Sequence, residues 1–188
     1  MVEVLLVNPR LNGRSELPPL GLLAIASVLL KENIGVDVID LDLGTADRAE
    51  RVLSAGLACK PKVVGVSAMT DSFQSALEVC RKAKESNPAV LTVLGGIHAT
   101  VLHDVLIREH GVIDAVVRGE GEVTFPQLVR SFLDGRDFEG IAGVTYRRND
   151  TIVRERDQEL IHDLDALPVP AHHLVENGLY TTRNISSS

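Results

Sequence analysis

The residues of this chain best suited to hold a ligand fall in four sets, each directly after a short apolar run. The first is Asn8, Pro9 and Arg10, opening a stretch that lasts to Gly21 and is long for a strand-to-helix connection. Pro18 and Pro19 fix its entry into a helix at Leu20. The second is Ser67, Ala68, Met69 and Thr70. Its short hydroxyls can donate hydrogen bonds to a ligand, and Thr70, Asp71 or Ser72 can cap the helix that follows. The third is Gly95 and Gly96, with His98 close behind. Paired glycines after a strand let a flat ligand approach the backbone or make a tight strand-to-helix turn. The fourth is Arg118, Gly119 and Glu120, followed by Gly121 and Glu122. Its glycines keep the loop narrow, and a carboxylate there suits the positive end of the next helix. Arg118 is in reach of either glutamate. The pattern is one for holding a ligand, and no catalytic residue is assigned.

The elements that must position these loops follow from apolar patterning. Residues 2–7, 36–39, 63–66, 90–94 and 113–117 are short, mostly β-branched runs and read as strands. Residues 20–32, 46–59, 72–86, 99–109 and 122–133 carry helical spacing. Strand and helix alternate throughout, which predicts an α/β fold with a parallel sheet covered on both faces. Right-handed crossovers favour the flavodoxin-like (Rossmann-like) five-stranded order 2-1-3-4-5. Residues 141–146 and 151–154 read as a β-hairpin. Pro168 and Pro170 mark a connector. The expected organisation is an α/β domain over 1–135, a hairpin over 136–160 and a connector over 161–188.

Composition narrows the function. Hydrophobic residues make up 45% of the 188 and aromatic ones 3%, so the core must be aliphatic. A net charge of −7 and the scarcity of aromatics argue against nucleic acid as a partner. No apolar run is long enough for a membrane span or built like a signal peptide. Cys59 and Cys80 fit no metal or redox spacing, so a reducing, cytoplasmic location is expected.

Taken together, Pro18-Pro19-Leu20-Gly21-Leu22, Gly65-Val66-Ser67-Ala68-Met69-Thr70, Gly95-Gly96-Ile97-His98-Ala99-Thr100 and Arg118-Gly119-Glu120-Gly121-Glu122-Val123-Thr124-Phe125 resemble the N-terminal cobalamin-binding-type domain of cobalamin-dependent radical-SAM proteins. So do the hairpin over 143–153 and the Asp165-Ala166-Leu167-Pro168-Val169-Pro170 connector. The resemblance implies cobalamin as cofactor, with its nucleotide tail in a groove at the glycine-lined sheet edge. It implies Asn8, Pro9, Arg10, Leu20, the Ser67–Thr70 and Gly95–His98 loops, Arg118, Gly119 and Glu120 as the residues around it. In that family the connector leads to a C-x-x-x-C-x-x-C motif for a [4Fe-4S] cluster and S-adenosylmethionine. Residues 184–188 resemble the segment ahead of those cysteines. The radical-SAM domain is then an expected partner, and a homodimer stays open.

One departure bears on the metal. Cobalamin proteins of the mutase and methyl-transferring type carry D-x-H-x-x-G after the first strand, where this chain has Asn8-Pro9-Arg10-Leu11-Asn12-Gly13. A guanidinium stays protonated and has no lone pair for a metal, so Arg10 is excluded as a cobalt ligand. His98 is the histidine nearest the ligand loops and suits a hydrogen bond better than ligation. The competing reading is a structural domain of a radical-SAM enzyme that has lost cobalamin. A phosphorylated receiver would need aspartates where Ser67 and Asn8-Pro9 stand, and a nucleotide binder would need glycine motifs that are not present.

Overall fold

The computed structural model describes residues 2–11 and 17–180. Gly13 and the 184–188 segment lie outside the described residues.

Each apolar run becomes a strand because β-branched and leucine side chains project alternately to both faces. The strands are β1 (Val4–Asn8), β2 (Val36–Asp40), β3 (Val63–Ser67), β4 (Leu91–Gly95) and β5 (Ala115–Val117). In β1, Val4 and Leu6 pack in one core while Leu5 and Val7 pack in the other. The intervening helices are α1 (Leu20–Lys31), α2 (Ala46–Ala58), α3 (Phe73–Ser86), α4 (Ile97–Glu109) and α5 (Gly121–Leu133). Helices α1 and α5 cover one face, through Leu23, Leu29, Phe125 and Leu128. The other three cover the opposite face, through Leu53, Leu77 and Ile107.

The five parallel strands stand in the expected order β2-β1-β3-β4-β5. The hairpin, β6 (Val144–Arg148) and β7 (Thr151–Arg154), pairs antiparallel onto β5 and extends the sheet to seven strands. Its turn is shorter than the expected Arg147–Asp150 span. Asn149 turns the chain at a φ of 53°, a conformation asparagine tolerates, so Arg147 and Arg148 stay in the ladder.

A carboxylate clamp holds the hairpin. Asp137 accepts from the Tyr146 hydroxyl at 2.8 Å and from Arg148 Nε and Nη2 at 2.9 and 2.7 Å. The Arg148 hydrogen bonds, more than any other influence, hold the Asp137 carboxyl down at about 2, from its ordinary 3.8. A depressed value means the folded state favours the carboxylate. The clamp's contribution is therefore complete above the ordinary value and lost as pH falls from about 4 toward 2. Thermal melts between pH 5 and pH 2 should show this loss, and Asp137→Asn should flatten that part of the profile. An unchanged acid limb in the variant would refute the assignment.

The connector lies against α1. Ala171 donates its amide to the Leu23 carbonyl at 3.0 Å, and Leu174 and Val175 pack on the α1/α5 core. Tyr180 ends the described chain with its hydroxyl 3.2 Å from Asp40 Oδ2. Cys80 is buried in α3, and desolvation pushes its thiol up to about 12, while Cys59 is exposed. No helix of the described residues is long and apolar enough to cross a membrane.

Candidate functional site

Strand order reverses between β1 and β3, the switch point where crossovers leave the sheet on opposite faces. At the carboxyl ends of these strands a crevice of about 330 Å³ runs down between the sheet and helices α1 and α5. Its inner wall is apolar, built from Leu6, Ile25, Val93, Val117 and Phe125. Its mouth carries Asn8, Ser67, Glu120 and Glu122. A cavity that is apolar inside with a few polar groups at its mouth has the make-up of a small-molecule site.

Glycines make the crevice. At Gly65 a Cβ would lie 2.8 Å from Leu6 Cδ2 and from the Phe125 ring, so a side chain there would displace part of the crevice wall. At Gly121 a Cβ would meet Ile25 Cδ1 at 2.8 Å, so glycine lets the start of α5 close on α1. Gly96 holds φ 90° and ψ 176°, a region open to glycine almost alone. It turns the chain straight from β4 into α4, which therefore begins at Ile97, two residues before the patterning suggests.

The neighbouring loops are tied together by backbone. Ala68 donates its amide to the Gly95 carbonyl at 2.8 Å and accepts from the His98 amide at 3.2 Å. Ser72 is the N-cap of α3, but its hydroxyl accepts from the Met69 amide at 3.1 Å rather than capping that helix. Asn8 donates its amide to Asp40 Oδ1 at 2.9 Å, which fixes its orientation at the mouth.

Of the residues singled out from sequence, Asn8, Leu20, Ser67, Gly95, Gly96, Gly119 and Glu120 line the crevice. The others stand around it. Pro9 and Ala68 are buried, and Met69 is exposed beside the loop. Thr70 and His98 face each other, Oγ1 to Nδ1 at 3.2 Å, with the imidazole 4.7 Å from the Phe73 ring. Arg10 points elsewhere, its Nη1 donating to the Gly44 carbonyl at 2.9 Å.

Arg118 does not pair with Glu120 or Glu122. It is buried and turns to the hairpin side, where Nη2 donates to Asp157 Oδ1 at 2.9 Å and to the Glu155 carbonyl at 2.7 Å. Glu120 instead accepts from the Ile161 amide at 2.6 Å, tying the connector to the mouth. The hairpin, distant in sequence, offers Arg118 the acceptors that the local glutamates were expected to supply. His103 is half-buried, with Nδ1 3.0 Å from Thr145 Oγ1. Burial, and then Arg118, holds its imidazole below the usual range.

Leu6, Ile25 and Val93 carry no signal in the sequence, because aliphatic wall and aliphatic core read alike, whereas Phe125 stands in the Arg118–Phe125 motif. Gly121, read from sequence as narrowing the fourth loop, also lines the crevice. Among the described residues no three His, Cys, Asp or Glu side chains converge to hold a metal ion.

A doubly wound α/β domain with a ligand crevice at its switch point defines the class. The family described as the B12 binding domain matches residues 10–129, and this chain belongs to it. Its homologues include cobalamin-dependent radical-SAM methyltransferases and a cyclase. It is 37% identical to an uncharacterized methyltransferase of Pyrococcus horikoshii, over 87% of this chain and 35% of that protein. It is 35% identical to the anaerobic magnesium-protoporphyrin IX monomethyl ester cyclase of Rubrivivax gelatinosus, over 88% of this chain and 32% of that protein. The radical S-adenosylmethionine methyltransferase TsrM of Kitasatospora setae, solved with cobalamin and a [4Fe-4S] cluster, superposes with a TM-score of 0.69 at 26% identity. That match covers 83% of this chain and 31% of TsrM. The chain thus spans about a third of the length of these relatives.

Proposed function

We propose that this chain serves as the cobalamin module of a longer radical-SAM enzyme, and that the crevice between α1 and α5 takes the nucleotide tail of the cofactor. The observation that carries this is the crevice itself, with its apolar inner wall and its polar mouth at the sheet's carboxyl edge. The residues present fit a flat heterocycle on a ribose phosphate. Leu6, Ile25 and Phe125 would flank the ring, while Ser67 and Asn8 would meet the polar part. The backbones of Gly95, Gly96 and Gly119 would lie under the corrin.

The Arg10 guanidinium, bonded to the Gly44 carbonyl, has no lone pair to offer, so this loop supplies no imidazole to cobalt. Cobalamin, when bound, supplies a carrier for a methyl group. This chain's part is to hold the tail, to orient the ring and to exclude water on the α1/α5 side. The [4Fe-4S] cluster and S-adenosylmethionine would belong to a radical-SAM domain beyond the connector. The reaction of the whole enzyme would be methyl transfer, cyclisation or a related biosynthetic step. Two unpaired cysteines suit the cytoplasm as its compartment.

Titrating the chain with hydroxocobalamin, and following the visible spectrum, tests this. Saturable binding with a shift to the tail-detached form is expected, weakened at least tenfold by Ser67→Leu, which would place a bulky side chain at the mouth. Absence of binding by the folded chain and by a longer protein carrying the next domain would overturn it. Binding by the longer protein alone would place the site between the two domains and overturn the view that this chain suffices.

A further inference from the structure

Thr100 lies in the first turn of α4, one helical turn after Gly96, and is not among the residues lining the crevice. Its hydroxyl nevertheless touches two glycines that are. Thr100 Oγ1 donates to the Gly96 carbonyl at 3.0 Å and accepts from the Gly119 amide at 3.0 Å. The first bond is an ordinary link of a helical threonine to the carbonyl four residues back. The second joins the β4–α4 loop to the β5–α5 loop. A hydroxyl has one donor and two acceptor sites, so it alone can do both at once.

Gly119 depends on that bond. It is exposed and holds a φ of 73°, with open space where a Cβ would point. Its neighbours are fastened in other directions, Arg118 to the Gly143 carbonyl at 2.8 Å and Glu120 to the Ile161 amide at 2.6 Å. A second cavity, of about 260 Å³ and walled by Thr100, His103, Arg118 and Arg154, opens on the far side of Gly119. Without the hydroxyl, the Gly119 amide would lose its side-chain partner beside that space.

We propose that Thr100 is a positioning residue whose hydroxyl sets the separation of the Gly96 and Gly119 loops, and through it the grip on cobalamin. This rests on the cobalamin reading above. The test compares the wild-type chain with Thr100→Val, which keeps the shape and removes the hydroxyl, and Thr100→Ser, which keeps the hydroxyl. Two quantities are measured, the hydroxocobalamin dissociation constant and, without cofactor, hydrogen exchange at the Gly119 amide by NMR. Thr100→Val should raise the dissociation constant roughly tenfold, the scale of one net hydrogen bond, and should speed exchange at Gly119. Thr100→Ser should restore both. If valine perturbs folding, Thr100→Ala carries the same expectation. Wild-type affinity and unchanged Gly119 exchange in Thr100→Val would overturn the positioning role and leave the cobalamin reading intact. Faster Gly119 exchange with unchanged affinity would overturn the link between the loop and the grip. Failure of both the wild-type chain and the longer protein carrying the next domain to bind would overturn the cobalamin reading and this grip with it; where the longer protein alone binds, the same comparison is made in that protein.

Discussion

Gly96→Val should abolish saturable hydroxocobalamin binding and lower the stability of the chain by about 3 kcal/mol or more. Two costs add. A φ of 90° with ψ 176° is a region a β-branched residue enters at about 1–3 kcal/mol. The new Cβ would also lie 2.6 Å from the Ala68 carbonyl oxygen and 2.9 Å from its nitrogen, both backbone atoms that cannot rotate away. Relief requires the Ser67–Met69 loop to move. That loop is bonded to β4 through the Ala68 amide and the Gly95 carbonyl, so the crevice mouth is rebuilt rather than trimmed. Native domains have only about 5–15 kcal/mol of stability, so most molecules should still fold at room temperature. Urea unfolding followed by circular dichroism would measure the loss, and the visible titration would measure binding. A folded variant with wild-type affinity would show that the Gly96 turn does not shape the site.

Arg118→Met should destabilise the chain by about 3 kcal/mol, for reasons unrelated to the cofactor. Arg118 is 5% exposed and feeds Thr145 Oγ1, the Glu155 and Arg156 carbonyls and Asp157. The Asp157 pairing counts for little, since that side chain is 71% exposed and regains water when freed. The loss falls on the buried Thr145 hydroxyl and the half-buried Glu155 carbonyl, at about 1–3 kcal/mol each where water cannot replace the donor, while the exposed Arg156 carbonyl keeps the Gly143 amide. Thr145 keeps His103 as a partner, which tempers the sum. For a chain of this size the melting temperature should fall by roughly 10 °C. Asp157→Asn should leave the melting temperature nearly unchanged, since that carboxylate is exposed to water. If the two variants melted alike, the ion pair rather than the buried hydrogen bonds would be holding the hairpin to β5.

Much of this architecture was legible from residue types alone. Val63–Ser67 and Val36–Asp40 became strands because each is short and β-branched, the first nearly continuous in apolar residues and the second alternating Val36 and Val38 with Asp37. Strand ends were less legible. Asn8 and Gly95 look like loop residues, yet each lies within a strand whose pairing reaches it. The start of α4 was hidden because a glycine with positive φ can replace a capping side chain, and no pattern reports φ.

The candidate site divides along the same line. The sequence by itself determined that glycine and hydroxyl loops would gather at one edge of a parallel sheet, since alternating strand and helix put successive loops there. It also determined that Arg10 cannot ligate a metal, since that is a property of the guanidinium wherever it sits. Only the tertiary structure decided that Leu6, Ile25 and Phe125 wall a crevice, that Arg118 serves the hairpin, and that Thr100 joins two glycine loops. Those outcomes depend on which residues meet across long stretches of chain, and a residue's type does not encode its distant neighbours.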